Sequence, residues 1–217
     1  GFFNISYYDI NLAMTNCFVY PEAESSTNYA GIYQYDPLGC TSSVYYGGDI
    51  WMANIFTKQA DDGDLAAVSF YALQTNTTYN VYVIDNYSTP TDLSGDKTLV
   101  ASGIFTDCGY FTVDFDVPIP VETGRQFAVI VQLSAASDAY APVEQAVAGY
   151  SSMATAQAGE SFVSDSGSLW KDLTTVIPSA NLCLKAFTAT TPATVTSIAI
   201  QALPDRTIFT QDSTLDL

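Results

Sequence analysis

Apolar and polar residues alternate along residues 65–84, which read LAAVSFYALQTNTTYNVYVI. Val68 and Phe70 in the first half, like Val81 in the second, stand between small or polar neighbours. Such a period of two is typical of strands that bury one face. Between the two runs, residues 74–78 are polar and favour a turn. The pattern predicts a β-hairpin whose apolar face needs a second sheet to cover it.

Further runs along the chain show the same strand pattern or a continuous apolar sequence. They are residues 50–57, 97–105, 110–117, 127–133, 162–170 and 182–188. Residues 162–170 indicate a second hairpin, and Asp-Pro-Leu-Gly at 36–39 indicates a turn. The alanine-rich segment 145–158 is compatible with a helical turn or with a loop. About nine or ten strands with regular turns and no strand–helix alternation predict an all-β fold, an antiparallel β-sandwich of jelly-roll type.

The charge balance of the chain limits its partners. Its 217 residues carry a formal net charge of −17, with only six lysines and arginines. Binding to phosphate groups depends on these cations, so we expect no nucleic-acid partner and no anionic membrane surface. No apolar run reaches the ~18 residues of a membrane span, and no signal peptide is visible. We therefore expect no membrane insertion and a soluble piece of a larger protein.

The absence of histidine argues against catalysis by this chain. Serine and cysteine nucleophiles of the common dyads and triads need a histidine as their base. Two carboxylates could still hydrolyse a glycosidic bond. Among 23 acidic residues, however, some close pair is almost inevitable and therefore uninformative. We expect a non-catalytic module.

The four cysteines are Cys17, Cys40, Cys108 and Cys183. They lack the CxxC spacing of a zinc site and have no histidine beside them. Two disulfides, with three ways of pairing, are compatible with the sequence. Buried reduced thiols are equally compatible, because Cys183 lies in an apolar run and cysteine is often buried.

Clustered carboxylates suggest a use for the negative charge. Asp61, Asp62 and Asp64 surround Gly63 in a turn before a strand. Calcium takes six to eight oxygen ligands of this kind, although the twelve-residue EF-hand loop is missing. A solvated acidic turn is the alternative interpretation. Other candidate ligands are Asp36, Asp49, Asn54 and Asp107.

A cluster of aromatic residues is the candidate binding site. A sugar needs an exposed flat ring for its CH face and polar neighbours for its hydroxyls. Tyr45 and Tyr46 precede two glycines, which allow a loop to bend and a ligand to approach the backbone. Trp51 shares its strand face with alanine and isoleucine and is expected in the core. Further candidate sugar contacts are Tyr33, Tyr35 and Trp170.

Several sequence blocks occur in an order that resembles a known family. They are YQYDPLG, IWMANIFT, LAAVSFYALQTNTTYNVYV, PIPVETGRQFAVIV, SFVSDSGSLWKDL and LCLKAFT. This order resembles the lectin-like domain that follows papain-like cysteine proteases in cell-surface proteins of Gram-positive bacteria. The resemblance covers about residues 11–190. Residues 1–10, with GFFNISYYD, resemble the last strand of the protease domain, and residues 191–217 resemble a linker and the start of a bacterial Ig-like domain.

The resemblance implies a function as well as a fold. Such a domain is a jelly-roll module, in some relatives with a calcium ion, on a secreted protein at the cell surface or in the cell wall. It implies carbohydrate binding, with a cell-wall or host glycan as ligand and the upstream protease domain as neighbour. The competing hypothesis is a structural spacer or protein-interaction domain that holds the protease at the cell envelope.

Overall fold

The computed structural model describes residues 25, 27–59 and 62–189, and β-strands dominate this part. Its strands are β1 Gly31–Tyr33, β2 Ser42–Val44, β3 Ile50–Thr57, β4 Asp64–Ala72, β5 Thr77–Ile84, β6 Thr98–Phe105, β7 Gly109–Ile119, β8 Gln126–Ser134, β9 Ala141–Glu144, β10 Ser161–Ser164, β11 Lys171–Asp172, β12 Asn181–Leu182 and β13 Leu184–Ala189. Two short 3-10 helices are Pro90–Ser94 and Leu173–Thr175. No helix within these ranges has the length and hydrophobicity to span a membrane. The segments assigned to a protease end, 1–10, and to an Ig-like start, 191–217, lie outside the described residues.

The strands form two large sheets and one small sheet. The six-stranded sheet has the order β11-β10-β3-β8-β5-β6, and the four-stranded sheet has the order β1-β13-β4-β7. The small sheet is β12-β9-β2, and every pairing among these strands is antiparallel. Side chains such as Phe70, Met52 and Val131 fill the space between the two large sheets. The prediction of an all-β antiparallel sandwich is confirmed.

The predicted hairpin over residues 65–84 is wrong. Both strands exist, but β4 pairs with β13 and β7, whereas β5 pairs with β6 and β8. The two strands therefore lie in opposite sheets, and their apolar faces meet across the core. The rings of Phe70 and Tyr79, for example, are 5.8 Å apart. At the crossing, Asn76 has a φ of 54°, a left-handed conformation that asparagine tolerates better than most residues.

Other predicted strands are confirmed by the structure. Strand β3 has the predicted bounds. Strand β8 is a central strand, as its apolar sequence predicted, and its neighbours are β3 and β5. The second hairpin is confirmed, although its return strand is β11, just beyond Trp170. The turn at 36–39 is closed by a 3.1 Å hydrogen bond from the Gly39 amide to the Asp36 carbonyl. Residues 145–158 form turns without a helix.

Asn54 connects the sheets through the core. This residue of β3 has no solvent exposure. Its Nδ2 donates to the carbonyls of Leu184 at 2.8 Å and Leu182 at 3.4 Å, and its Oδ1 accepts from the Ser161 hydroxyl at 2.7 Å. The candidate role of Asn54 as a calcium ligand is therefore wrong, because both side-chain polar atoms are used inside the fold.

Candidate functional site

The outer face of the six-stranded sheet has a covered half and an open half. Over the covered half, Leu93 and Tyr87 pack on side chains such as Ile55 and Ile130. These two residues belong to the β5–β6 connection, which contains the 3-10 helix Pro90–Ser94 with Asp92 in its first turn. The Asp92 carboxylate accepts hydrogen bonds from Thr89 and Ser88, which lower its pKa to about 2. This capped turn keeps the connection over one half of the sheet and leaves the other half open.

Three polar side chains cross the open half in one hydrogen-bonded row. Asn80 Nδ2 donates to Gln132 Oε1 at 3.1 Å, and Gln132 Nε2 donates to Asp49 Oδ2 at 3.0 Å. Asn80 and Gln132 are half-buried, and Asp49 is exposed. The register explains the row, because Asn80 is directly opposite Gln132, which is directly opposite Trp51. We call Asp49, Asn80 and Gln132 the polar row.

Two aromatic side chains lie beside the polar row. The rings of Trp51 and Tyr82 are nearly parallel, with centroids 5.6 Å apart and an angle of 22°. The Lys97 ammonium is 5.6 Å from the Trp51 ring and 5.8 Å from the Tyr82 ring, a cation–π arrangement. Trp51 also packs so closely on Gly167 that a Cβ there would lie 2.8 Å from the ring. The expectation that Trp51 is a core residue is wrong, since it is half-buried on the outer face.

The loop between β10 and β11 borders this surface. Trp170 in this loop is half-buried and packs against the covered half of the sheet. Its Nε1 donates to the Gly167 carbonyl at 3.1 Å. Trp170 therefore shapes the border of the aromatic pair, and its role as a sugar contact stays a prediction.

Tyr45 is the most exposed of the predicted sugar contacts. Its side chain is 57% exposed, and its ring lies 5.2 Å from that of Tyr140. The following Gly47 and Gly48 both have positive φ, and the Gly48 amide donates to Asp138 at 3.0 Å. This loop ends at Asp49 and so continues directly into the polar row.

Tyr46 is held more firmly than its neighbour. It is half-buried against the core, and the Lys171 ammonium lies 5.1 Å from its ring. Burial raises the pKa of its hydroxyl. Of the two tyrosines, Tyr45 therefore offers the more accessible ring.

Tyr33 and Tyr35 do not offer an exposed ring. Tyr33 is buried, and its hydroxyl donates to Asp62 at 2.9 Å. Tyr35 stacks on Phe56 at 4.9 Å and donates to the Ile55 carbonyl at 2.6 Å. Burial raises the pKa of both hydroxyls to about 12. The expectation of open rings is wrong here, because both side chains are packed against the sandwich.

The predicted calcium turn is only partly described. Asp61 lies outside the described residues, and Asp64 begins β4. The Asp62 carboxylate accepts from Tyr33 and lies 3.8 Å from the Lys58 ammonium, which also donates to the Gly63 carbonyl. Lysine thus already supplies a positive charge to Asp62. Calcium binding at this turn stays a prediction that depends on Asp61 and Asp64.

The other candidate ligands are dispersed. Asp36 is 1% exposed and pairs with the Lys185 ammonium at 2.7 Å. Asp49 belongs to the polar row, and Asp107 accepts from its neighbour Thr106 at 3.0 Å. Within residues 25, 27–59 and 62–189, no three acidic or cysteine side chains come together as a metal site.

The sequence predictions missed three residues of the open half. Asn80 and Tyr82 alternate with Val81 and Val83 in β5, and Gln132 is the one polar residue of the run 127–133. A polar residue inside an apolar strand was the available signal. This signal could not assign the three residues to one site, because the sequence alone does not show which strands are neighbours.

Comparisons with known proteins agree with this fold. A family model described as "Lectin like domain" matches residues 32–188. The structure resembles that of the clostridial cysteine protease Cwp84 after propeptide cleavage, with a TM-score of 0.66 and 22% identity over 74% of this chain and 40% of that chain. It also resembles the cysteine protease and lectin-like domains of Cwp84, a surface layer associated protein of Clostridium difficile, with a TM-score of 0.65 and 23% identity over 74% of this chain and 36% of that chain. The chain thus spans less than half the length of these structures. The search of curated proteins found no match.

Proposed function

The chain belongs to the lectin-like domain family, and we propose that its sandwich is a non-catalytic carbohydrate-binding module of a surface-associated cysteine protease. The proposed ligand is a cell-wall or host glycan. The proposed setting is a secreted protein at the cell surface with a protease domain upstream. The two similar structures support this setting, because one is described as a surface-layer protein with protease and lectin-like domains.

The observation that carries the proposal is the polar row next to the Trp51–Tyr82 pair. Amide groups donate and accept hydrogen bonds, as sugar hydroxyls do, and a carboxylate accepts them. The hydrogen bonds along the row orient all three side chains before a ligand arrives. Flat rings beside them suit the CH face of a pyranose. Together these groups combine fixed hydrogen-bonding side chains with half-buried aromatic rings on one rigid sheet, and this combination supports a sugar site here.

A matched pair of variants on β8 tests this site. The full chain is applied to a glycan array and to insoluble cell-wall polysaccharide. We expect Gln132→Ala to weaken retention about tenfold, since losing hydrogen bonds worth about 1.4 kcal/mol changes affinity by that factor. Gln126→Ala is the control, because it removes the same side chain from the other, exposed end of the same strand. Its retention should equal that of the wild type.

The same assay separates the alternatives. Loss of retention in Tyr45→Ala with normal retention in Gln132→Ala would move the site to the Tyr45–Tyr140 pair. The absence of retention on every polysaccharide would favour the spacer or protein-interaction function.

A further inference from the structure

A small pocket lies beside the small sheet and contains no residue of the polar row or of the aromatic pair next to it. Its walls come from the β1–β2 connection, from β9 and from the turns that follow β9, and include Tyr35, Leu38, Glu144, Met153 and Thr155. Its volume of about 230 Å³ would hold about seven water molecules at ~30 Å³ each. The pocket therefore suits a ligand smaller than a typical drug molecule.

Glu144 is the charged group of this pocket. It ends β9, and its side chain is 1% exposed. Its Oε1 accepts a hydrogen bond from the Leu38 amide at 2.5 Å, but no described residue donates to Oε2 or forms an ion pair with the carboxylate. Burying an ionised carboxylate without a cation is costly, so this position favours a cationic ligand.

Lys185, the lysine of this region, is already paired with another carboxylate. Its ammonium lies 2.7 Å from Asp36 Oδ2 and donates to the Asp36 carbonyl at 3.3 Å. Asp36 begins the turn at 36–39, whose Leu38 amide donates to Glu144. Asp36 and Glu144 are both buried, so the described residues supply one lysine to two buried carboxylates here.

Asn181 brings a second unused acceptor next to Glu144. It is directly opposite Glu144 in the β12–β9 pair, and residues paired in this way have their side chains on the same face of the sheet. Its Nδ2 donates to the carbonyls of Tyr35 and Thr155, both at 2.9 Å, so both amide hydrogens are used. Its Oδ1 is buried and has no hydrogen-bond partner among the described residues. The two carbonyls thereby fix the orientation of the amide and leave an acceptor beside the pocket.

The remaining walls are largely apolar. Leu38 is 53% exposed and Met153 is 84% exposed, so these two lining side chains form an open rim. Methionine is flexible and adapts to apolar groups of different shape. A ligand can therefore reach Glu144 with a charged end while an apolar stem lies along the rim.

We propose that this pocket binds a primary ammonium group on a short alkyl stem, with Glu144 Oε2 as its ion-pair partner and Asn181 Oδ1 as a second acceptor. An ammonium has three N–H donors and no acceptor, which matches a site that offers acceptors. Calcium would need six to eight oxygen ligands, more than these two side chains supply. A free alkylamine and the lysine side chain of a protein share the required chemistry.

The first test uses NMR on the full chain with ¹³C-labelled methionine methyl groups. The probe is butylammonium at pH 7 in about 0.15 M salt, which screens general attraction to the acidic surface. We expect it to shift the signal of Met153, which lines the pocket, and to leave that of the core residue Met52 in place. Met153→Leu assigns the signal. The neutral 1-butanol has the same shape and should cause no shift at the same concentration.

A pair of charge variants tests the role of the carboxylate. Glu144→Gln keeps an acceptor for the Leu38 amide and should weaken the affinity for butylammonium about tenfold or more, because a hydrogen bond to a charged group is lost. Glu122→Gln is the control, since it removes the same charge from a side chain that is 76% exposed and lies outside the pocket. Its affinity should equal that of the wild type. An unmoved Met52 signal shows that each variant is folded.

The two sources of the ammonium are separated by a second probe. Tighter binding of Nα-acetyl-lysine methylamide than of butylammonium would identify a lysine of a protein partner, and weaker binding would identify a free amine. Equal shifts with 1-butanol, an unmoved Met153 signal or unchanged affinity in Glu144→Gln would overturn the proposal. Since the pocket shares no residue with the polar row, failure of the glycan assay leaves these outcomes unaffected.

Discussion

Glu144 in β9 is a buried carboxylate, 1% exposed, with no ion-pair partner among the described residues. Its Oε1 accepts a hydrogen bond from the Leu38 amide. Burial raises its pKa above the usual 4.5, and the nearby Asp36 charge adds to the effect, while Lys185 opposes it. The folded chain therefore binds this proton more tightly than the unfolded chain does.

The sign of the pH dependence follows from this shift. The contribution of Glu144 to stability is fully present below about pH 4.5 and is lost as the pH rises through the raised folded-state pKa. Glu144→Gln keeps an acceptor for Leu38 and removes the buried charge. We expect this variant to unfold at a higher urea concentration than the wild type at pH 7, with the difference vanishing near pH 4. A constant difference across this range would contradict the linkage.

Single side chains also mark the limit of the sequence-based predictions. The alternation in β3 correctly groups Trp51 with Ala53 and Ile55 on one face. It does not reveal that this face is the outer one, half covered by the connection that carries Leu93. Conversely, Tyr33 is amphipathic, and only the packing in the fold decides that its ring is buried and its hydroxyl meets Asp62.

Strands β4 and β5 show the same limit of prediction at the level of secondary structure. Their existence follows from the period-two pattern, because only a strand buries every second residue. The pairing partners of these strands do not follow from the pattern, since the same pattern suits a hairpin in one sheet and a crossing between two sheets. The observed crossing instead buries Phe70 and Val81 from opposite sides of one core.

The link between the sheets through Asn54 should be sensitive to substitution. Asn54→Leu keeps a similar volume but leaves the carbonyls of Leu182 and Leu184 without their amide donor. Unsatisfied buried groups cost about 1–3 kcal/mol each, so we expect about 3 kcal/mol of lost stability by urea unfolding. Asn80→Leu is the control on the outer face and should change stability by less than about 1 kcal/mol. Equal losses in the two variants would contradict the role of Asn54 in joining the sheets.

The turn between β3 and β4 is where the calcium prediction applies. Carboxylates at 61–64 repel one another until a cation neutralises them, and Lys58 supplies part of that charge to Asp62. We expect millimolar calcium to raise the melting temperature of the full chain above its value in EDTA, and magnesium to raise it less. Asp64→Asn should reduce the difference. Identical melting temperatures in calcium and EDTA would remove the ion from this turn.

At the scale of the whole fold, some properties arise only when distant strands come together. Composition and turn spacing predict the sandwich, and the order of sequence blocks predicts the family, because both are properties of the linear sequence. The polar row could not be predicted in this way. Asp49, Asn80 and Gln132 come from separate parts of the chain, and only the order β3-β8-β5 makes them neighbours.

The domain division stays a prediction and has a direct test. If residues 1–10 and 191–217 belong to neighbouring domains, a shortened chain of residues 11–190 contains every strand described in the structure. We expect this chain to unfold in one cooperative transition with a melting temperature close to that of the full chain, because its core and its boundary strand β13 are intact. A second truncation that ends at residue 183 is the control, since it removes β13 from between β1 and β4 and should abolish cooperative unfolding. Loss of the transition in residues 11–190 as well would show that the terminal segments are part of the sandwich.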